Sequence, residues 1–190
     1  YSFLLLALVA IPIIAEMDTL LQVWLKDVPE HTGMFCRLML VASLCDQITV
    51  GLTSANQAIG KIRVYSLVFY TLKLLVIVAG WICLHYGLPI VSIMWCYVGV
   101  ELMTSLVRLP LMKWIAGIEI WPFCKHVFGR IAVPCAAMVV VCYAMTQYVD
   151  VRYRVFLTAG ASVAIGVVTI WMTALTEEEK NAAKRLLFRG

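Results

Sequence analysis

Six ionisable side chains stand within or beside long apolar stretches: Glu16, Asp18, Asp46, Lys73, Glu101 and Arg108. A charge inside a membrane is costly and normally faces a cavity or a partner, so chemistry is to be sought among these residues. Two kinds are open to them. The carboxylates Asp46, Glu101, Glu16 and Asp18 can couple a proton or a cation to the movement of another solute. The cations Lys73 and Arg108 can attract an anion. The plainer alternative for Asp46 and Lys73 is a structural ion pair between neighbouring helices. Glu101 and Arg108 are seven residues apart and share a helix face, and Arg108 reads as snorkelling to the interface. Glu16 and Asp18 read as residues in water at a cavity mouth, or in principle as an acid and base pair.

Counting from the turns places several of these charges at one depth. Asp46 lies fourteen residues before Gly60 and Lys73 thirteen after it. Lys73 also lies fourteen before Gly87, and Glu101 fourteen after it. At about 1.5 Å of rise per residue, all three stand about 20 Å from either turn. Glu16 reaches a similar level counted back from Glu30. The expectation is a charged layer near the midplane, built from the first four helices. In the second helix, Ser43, Asp46, Gln47, Thr53, Ser54 and Gln57 follow one stripe of a 3.6-residue period. Such a stripe lines a water-filled pathway or bonds a neighbouring helix. The candidate cavity residues are therefore Lys73, Arg108, Ser43, Gln47, Thr53 and Gln57.

Long helices must carry these residues, because the chain has little else. Its 190 residues are 63% hydrophobic and 14% charged, with mean hydropathy +0.94. Soluble domains run about 45–50% apolar and about 25% charged, so a soluble enzyme, a nucleic-acid binder and a disordered tail are excluded. Bilayer-spanning helices need about 20 residues each. Six apolar blocks meet that length, at roughly 2–25, 34–58, 65–86, 89–111, 126–147 and 154–175. Pro110 and Pro122 read as breakers around the fourth and fifth blocks. The alternating ten-residue segments of a β-barrel are missing. The expected fold is an all-α polytopic membrane bundle of six transmembrane helices, residues 1–175, followed by a basic tail over 176–190.

The basic residues orient it. With six alternating spans, ten of the fifteen Lys and Arg residues fall on one side, in loop 59–64, region 108–130 and the tail. Lys26, Arg37, Arg152 and Arg154 fall on the other. The positive-inside rule then places the C-terminus in the cytoplasm. Trp24, Trp81 and Trp95 sit near outer ends and Trp114, Trp121 and Trp171 near inner ones, as interfacial belts do. Thr176-Glu177-Glu178-Glu179 reads as a capping box opening a short amphipathic helix against anionic lipid. The fifth and sixth spans lack a midplane charge and read as lipid-facing periphery. Pro134 is expected to kink the fifth, and Gly160, Ala164 and Gly166 to give the sixth a packing face.

Other chemistries find no residues. Gly60-Lys61 lacks the remaining spacing of a phosphate-binding loop, and neither H-E-x-x-H nor G-x-S-x-G occurs. The seven cysteines form no C-x-x-C pair and have no zinc spacing, so they read as small buried hydrophobes. No metal, cofactor or catalytic residue is assigned, and the chain does not read as an enzyme.

The most informative stretch is 10–65. It carries Trp24-Leu25-Lys26-Asp27-Val28-Pro29-Glu30, a W-L-x-x-V-P-E loop, and Gln57-Ala58-Ile59-Gly60-Lys61-Ile62-Arg63-Val64-Tyr65, a Q-A-x-G-K-I-x-x-Y turn. With the tail Leu175-Thr176-Glu177-Glu178-Glu179-Lys180, it resembles the C-terminal half of bacterial polysaccharide (O-antigen, Wzx-type) flippases. These belong to the multidrug/oligosaccharidyl-lipid/polysaccharide exporter superfamily. The specific resemblance covers about a third of the chain; the rest matches in hydropathy alone. It implies a transporter with two helical bundles around a central cavity, which flips lipid-linked oligosaccharide of the undecaprenyl pyrophosphate type across the inner membrane by alternating access. Because it starts at Tyr1 inside an apolar run, the chain reads as the C-terminal part of such an exporter. Its partners would be the missing N-terminal bundle and membrane lipids, with no nucleic acid. By the resemblance, Lys73 and Arg108 become ligands for the anionic headgroup, and Asp46 and Glu101 become coupling carboxylates. One feature departs: the expected midplane layer is net acidic. Either the other half supplies much of the positive charge, or the substrate is less anionic. A drug/cation antiporter of the same superfamily, or a non-transporting membrane subunit, is the alternative.

Overall fold

Among the described residues seven α-helices follow in chain order: α1 (Ser2–Ala15), α2 (Met17–Trp24), α3 (Thr32–Ile59), α4 (Ile62–His85), α5 (Val91–Ala116), α6 (Ile120–Tyr148) and α7 (Val151–Thr169). A π-helical turn, Ile170–Ala174, continues α7. This computed structural model describes residues 1–25, 27–60, 62–117, 119–148 and 151–174. Lys26, Lys61, Asp150 and the expected tail helix with its capping box lie outside the described residues. Among those described there is no strand. Five helices are long and apolar enough to cross a membrane, or six if α1 and α2 are one broken span. The all-α polytopic membrane bundle is what this sequence forms.

Three element boundaries depart from the sequence reading. The first span breaks at Glu16, whose φ of −104° and ψ of 20° leave the helix while its N–H still donates to the Pro12 carbonyl. Pro110 does not end the fourth span. α5 runs through it to Ala116 and stops at Gly117, whose φ of 70° suits a residue without Cβ. A proline inside a membrane helix removes one ladder bond, and the surrounding bundle tolerates it. α6 begins at Ile120, six residues early, because Pro122 falls in its first turn. There a missing N–H costs nothing, since no helical acceptor precedes it.

The chain divides into two compact units, one of Met17–Lys125 and one joining Phe3–Glu16 to the chain from His126 onward. In the first unit α5 is the hub and packs on both α3 and α4. A third of its apolar window is buried, against 22% for α3 and 11% for α4. The buried positions of α5 are Val98, Glu101, Ser105, Arg108, Met112 and Ile115, with Thr104 beside them. They alternate by three and four, the spacing of a helix–helix seam. On α3 the seam is Leu38, Ala42, Thr49, Leu52 and Asn56. Hydrogen bonds between the two helices join residues 59 to 62 apart, so they run parallel with α3 position n level with about n+60 on α5.

Leu38, Ala42 and Val98 make one apolar cluster. Leu52, Tyr65, Met112 and Ile115 make another. The charges lie between these two dry ends. α4 turns the opposite way: Leu67, Leu74, Ile77, Val78, Trp81 and Leu84 are exposed along it. An apolar surface that long belongs against hydrocarbon or another apolar partner.

In the second unit Met138, Pro134, Thr158 and Ser162 are fully buried. α6 continues through Pro134. Of the expected small-residue face, only Gly166 is packed: a Cβ there would lie 2.6 Å from Met138 Sδ and collide with Leu8 Cδ2. Gly160 meets nothing within 4 Å, and Ala164 is exposed.

Candidate functional site

The site lies in the 17–125 unit and is built from the middles of α3, α4 and α5. Arg108 is its anchor, with 3% of its side chain exposed. Its guanidinium donates to Asp46 Oδ1 at 2.7 Å, to Thr49 Oγ1 at 3.0 Å and to the Asp46 carbonyl at 3.3 Å. One turn earlier on the same face of α5, Ser105 Oγ donates to the Cys45 carbonyl at 3.0 Å. Glu101, equally buried, accepts from Lys73 Nζ at 2.9 Å. Between the two pairs stands Phe69, with Arg108 Cζ 4.3 Å and Lys73 Nζ 5.0 Å from its ring centroid. Both cations thus face one π surface. The four charges form two pairs and sum to zero.

Depth counting therefore brings Asp46, Lys73 and Glu101 together, but the pairing differs from expectation. Asp46 and Lys73 are not each other's partner. The register between α3 and α5 puts Arg108 opposite Asp46, and Lys73 reaches across to Glu101 instead. Arg108 does not snorkel. Its chain is held inside the bundle by three acceptors, which replace the water it would otherwise seek.

Two cavities flank this quartet. One, of about 230 Å³, is lined by Asp46, Thr53, Asn56, Gln57, Tyr65, Ser66, Phe69, Tyr70, Lys73 and Arg108 among others. A smaller one, of about 140 Å³, is lined by Ser43, Asp46, Gln47, Lys73, Tyr97 and Glu101 with Ala42. Asp46 and Lys73 border both. The polar stripe of the second span is thus split between two cavities. Ser43 and Gln47 face one, Thr53 and Gln57 the other, and Ser54 faces neither. Thr53 Oγ1 shares a 2.8 Å hydrogen bond with the Tyr65 hydroxyl, and Ser43 bonds back to the Met39 carbonyl.

Glu16 and Asp18 do not join this group. Glu16 is buried in the other unit, where Arg154 Nε donates to it at 2.8 Å and Thr158 Oγ1 at 3.4 Å. This pair joins the end of α1 to the first turn of α7, away from the middle of either of the last two spans. Asp18 lies at the surface of the 17–125 unit and pairs with the half-buried Arg37 at 2.8 Å.

Several contributors escaped the sequence reading. Asn56 is fully buried, lines the larger cavity, and neither side-chain amide atom has a partner among the described residues. Arg108 Nε is likewise buried without one. Asn56 stands seven residues after Thr49, a spacing that marks the seam. Phe69 stands four before Lys73, the spacing that stacks two side chains on a helix. Ser105 falls between Glu101 and Arg108 on one face. Each signal is present in the sequence: Asn56 adjoins Gln57, and Phe69 and Ser105 lie one helical turn from Lys73 and Glu101. Among the described residues no group of three metal ligands occurs. No family model matches the chain, and neither a curated protein nor a solved structure matches it.

Proposed function

We propose that the chain is part of a membrane transporter that flips lipid-linked oligosaccharide across the bacterial inner membrane by alternating access, with its C-terminus cytoplasmic. The observation that carries this reading is the mid-helix quartet bordered by two cavities, the smaller of them mainly polar. Here Lys73 and Asp46 keep 35% and 28% of their side chains exposed. Charged groups placed so, at the centre of long apolar helices, mark solute pathways. The resemblance of the 10–65 stretch supplies the substrate class, and with it a second helical bundle as partner. No cofactor enters, and no bond is made or broken.

The geometry sharpens the roles. Each cation is already occupied, so an anionic headgroup must displace a carboxylate to reach Arg108 or Lys73. Entry of such a headgroup therefore leaves Asp46 or Glu101 without its cation. A drug/cation antiporter drew its support from a net acidic layer. In this unit the layer is neutral, so that support falls away.

The test is made in cells that depend on the protein for surface polysaccharide. Lys73→Met and Arg108→Met, present in the membrane at normal amounts, strongly lower surface polysaccharide. Lipid-linked units accumulate on the inner leaflet. Unchanged polysaccharide with either variant at normal abundance overturns the reading.

A further inference from the structure

We propose that Cys83 and Cys96 are a modification site, a dithiol that a small soluble disulfide of the glutathione class converts into a cystine joining α4 to α5. Their sulfurs are 3.5 Å apart, and both thiols are free. A disulfide needs about 2.05 Å between sulfurs, so the gap to close is about 1.5 Å, within reach of side-chain rotation. The helices already approach closely here. A Cβ on buried Gly80 would lie 3.6 Å from Ile93 Cγ2 across the same helix pair. The short connection over 86–90 makes α4 and α5 antiparallel neighbours, which fixes the two thiols against each other.

Depth makes the pair reachable. Cys83 is two residues from the end of α4, and Cys96 is five from the start of α5. At about 1.5 Å per residue they lie about 3 and 8 Å from the helix ends. Trp81 and Trp95, both exposed, sit at the same level and mark the interface. Cys45 and Cys135, by contrast, stand in the middles of α3 and α6.

The step balances by exchange. The Cys96 thiolate, the more exposed of the two, attacks one sulfur of oxidised glutathione and releases one glutathione thiolate. The Cys83 thiolate then attacks Cys96 Sγ and releases the second. Two protein thiols are oxidised, one glutathione disulfide is reduced to two thiols, and the protons from Cys83 and Cys96 pass to the leaving glutathiones through solvent. The product ties together the two helices that carry Lys73 and Glu101. The proposal is independent of the transport reading.

The whole chain in native membranes is treated with oxidised glutathione, denatured, alkylated with N-ethylmaleimide and weighed. Protein reduced with dithiothreitol beforehand, the reductant then removed, takes up seven adducts, one per cysteine, when glutathione treatment is omitted. The treated protein takes up two fewer and retains no glutathione, peptide mapping links Cys83 to Cys96, and dithiothreitol restores the lost adducts. Cys83→Ser retains glutathione on Cys96 instead. A full set of adducts after treatment, a link between other cysteines, or a stable glutathione adduct on the unmutated chain overturns the proposal.

Discussion

Removing the Arg108 guanidinium strands Asp46, which then has no cation on α5 to answer it. Breaking a buried pair by deleting one partner typically costs about 3–5 kcal/mol. Asp46 keeps some exposure, so the lower end applies: Arg108→Met is expected to destabilise the protein by ~3 kcal/mol. Asp46→Asn with Arg108→Met removes both charges and is expected to recover most of that loss, which thermal unfolding in detergent will report. Asn56 makes the opposite case. Its amide is buried with neither atom partnered among the described residues. An unsatisfied buried polar group costs about 1–3 kcal/mol. Asn56→Leu keeps the branching at Cγ, and the cavity that Asn56 lines can take its larger methyls, so the variant is expected to raise the unfolding temperature. If Asn56 meets the transported solute, the same variant gains stability while losing transport. A residue kept only for packing gains stability and leaves transport untouched. The two measurements together separate these roles.

At the scale of helices, Gly166 tests the packing of the second unit. A methyl there meets Met138, itself fully buried, and Leu8. Overpacking costs about 1–3 kcal/mol where neighbours cannot move freely. Gly166→Ala is expected to lower stability within that range, and Gly160→Ala to change it little, both read from unfolding midpoints. The spans themselves were legible from the sequence, because apolar runs bounded by Gly60, Gly87 and Gly117 leave little choice. The depth of Asp46, Lys73 and Glu101 was legible too, since a regular helix converts residue number into height. Partner choice was not. Equal depth implies that Asp46 is level with Glu101, an offset of 55, whereas the observed register is 59 to 62. That axial shift, invisible to counting from turns, moves Arg108 opposite Asp46. Arg154 escaped for another reason. Read as a loop residue, it stands inside the last helix and meets Glu16 at the end of α1, a contact separated by 138 residues.

For the molecule as a whole, the excess of basic residues in alternate connections gives the orientation to be tested. Reporter domains inserted at Gly87 and at Gly117 are expected on opposite sides of the membrane, with Gly117 cytoplasmic; activity on the same side would show that α5, the single helix between them, does not span. The division into two units was not legible in hydropathy, which treats every apolar run alike and says nothing of which runs meet. The quartet has one more consequence at this scale. A charge crossing a membrane potential exchanges about 2.3 kcal/mol per 100 mV. Asp46, Arg108, Glu101 and Lys73, moving together as two pairs, carry no net charge through that field. Displacement of these two pairs together is electrically silent, so their share of any rearrangement draws nothing from the membrane potential.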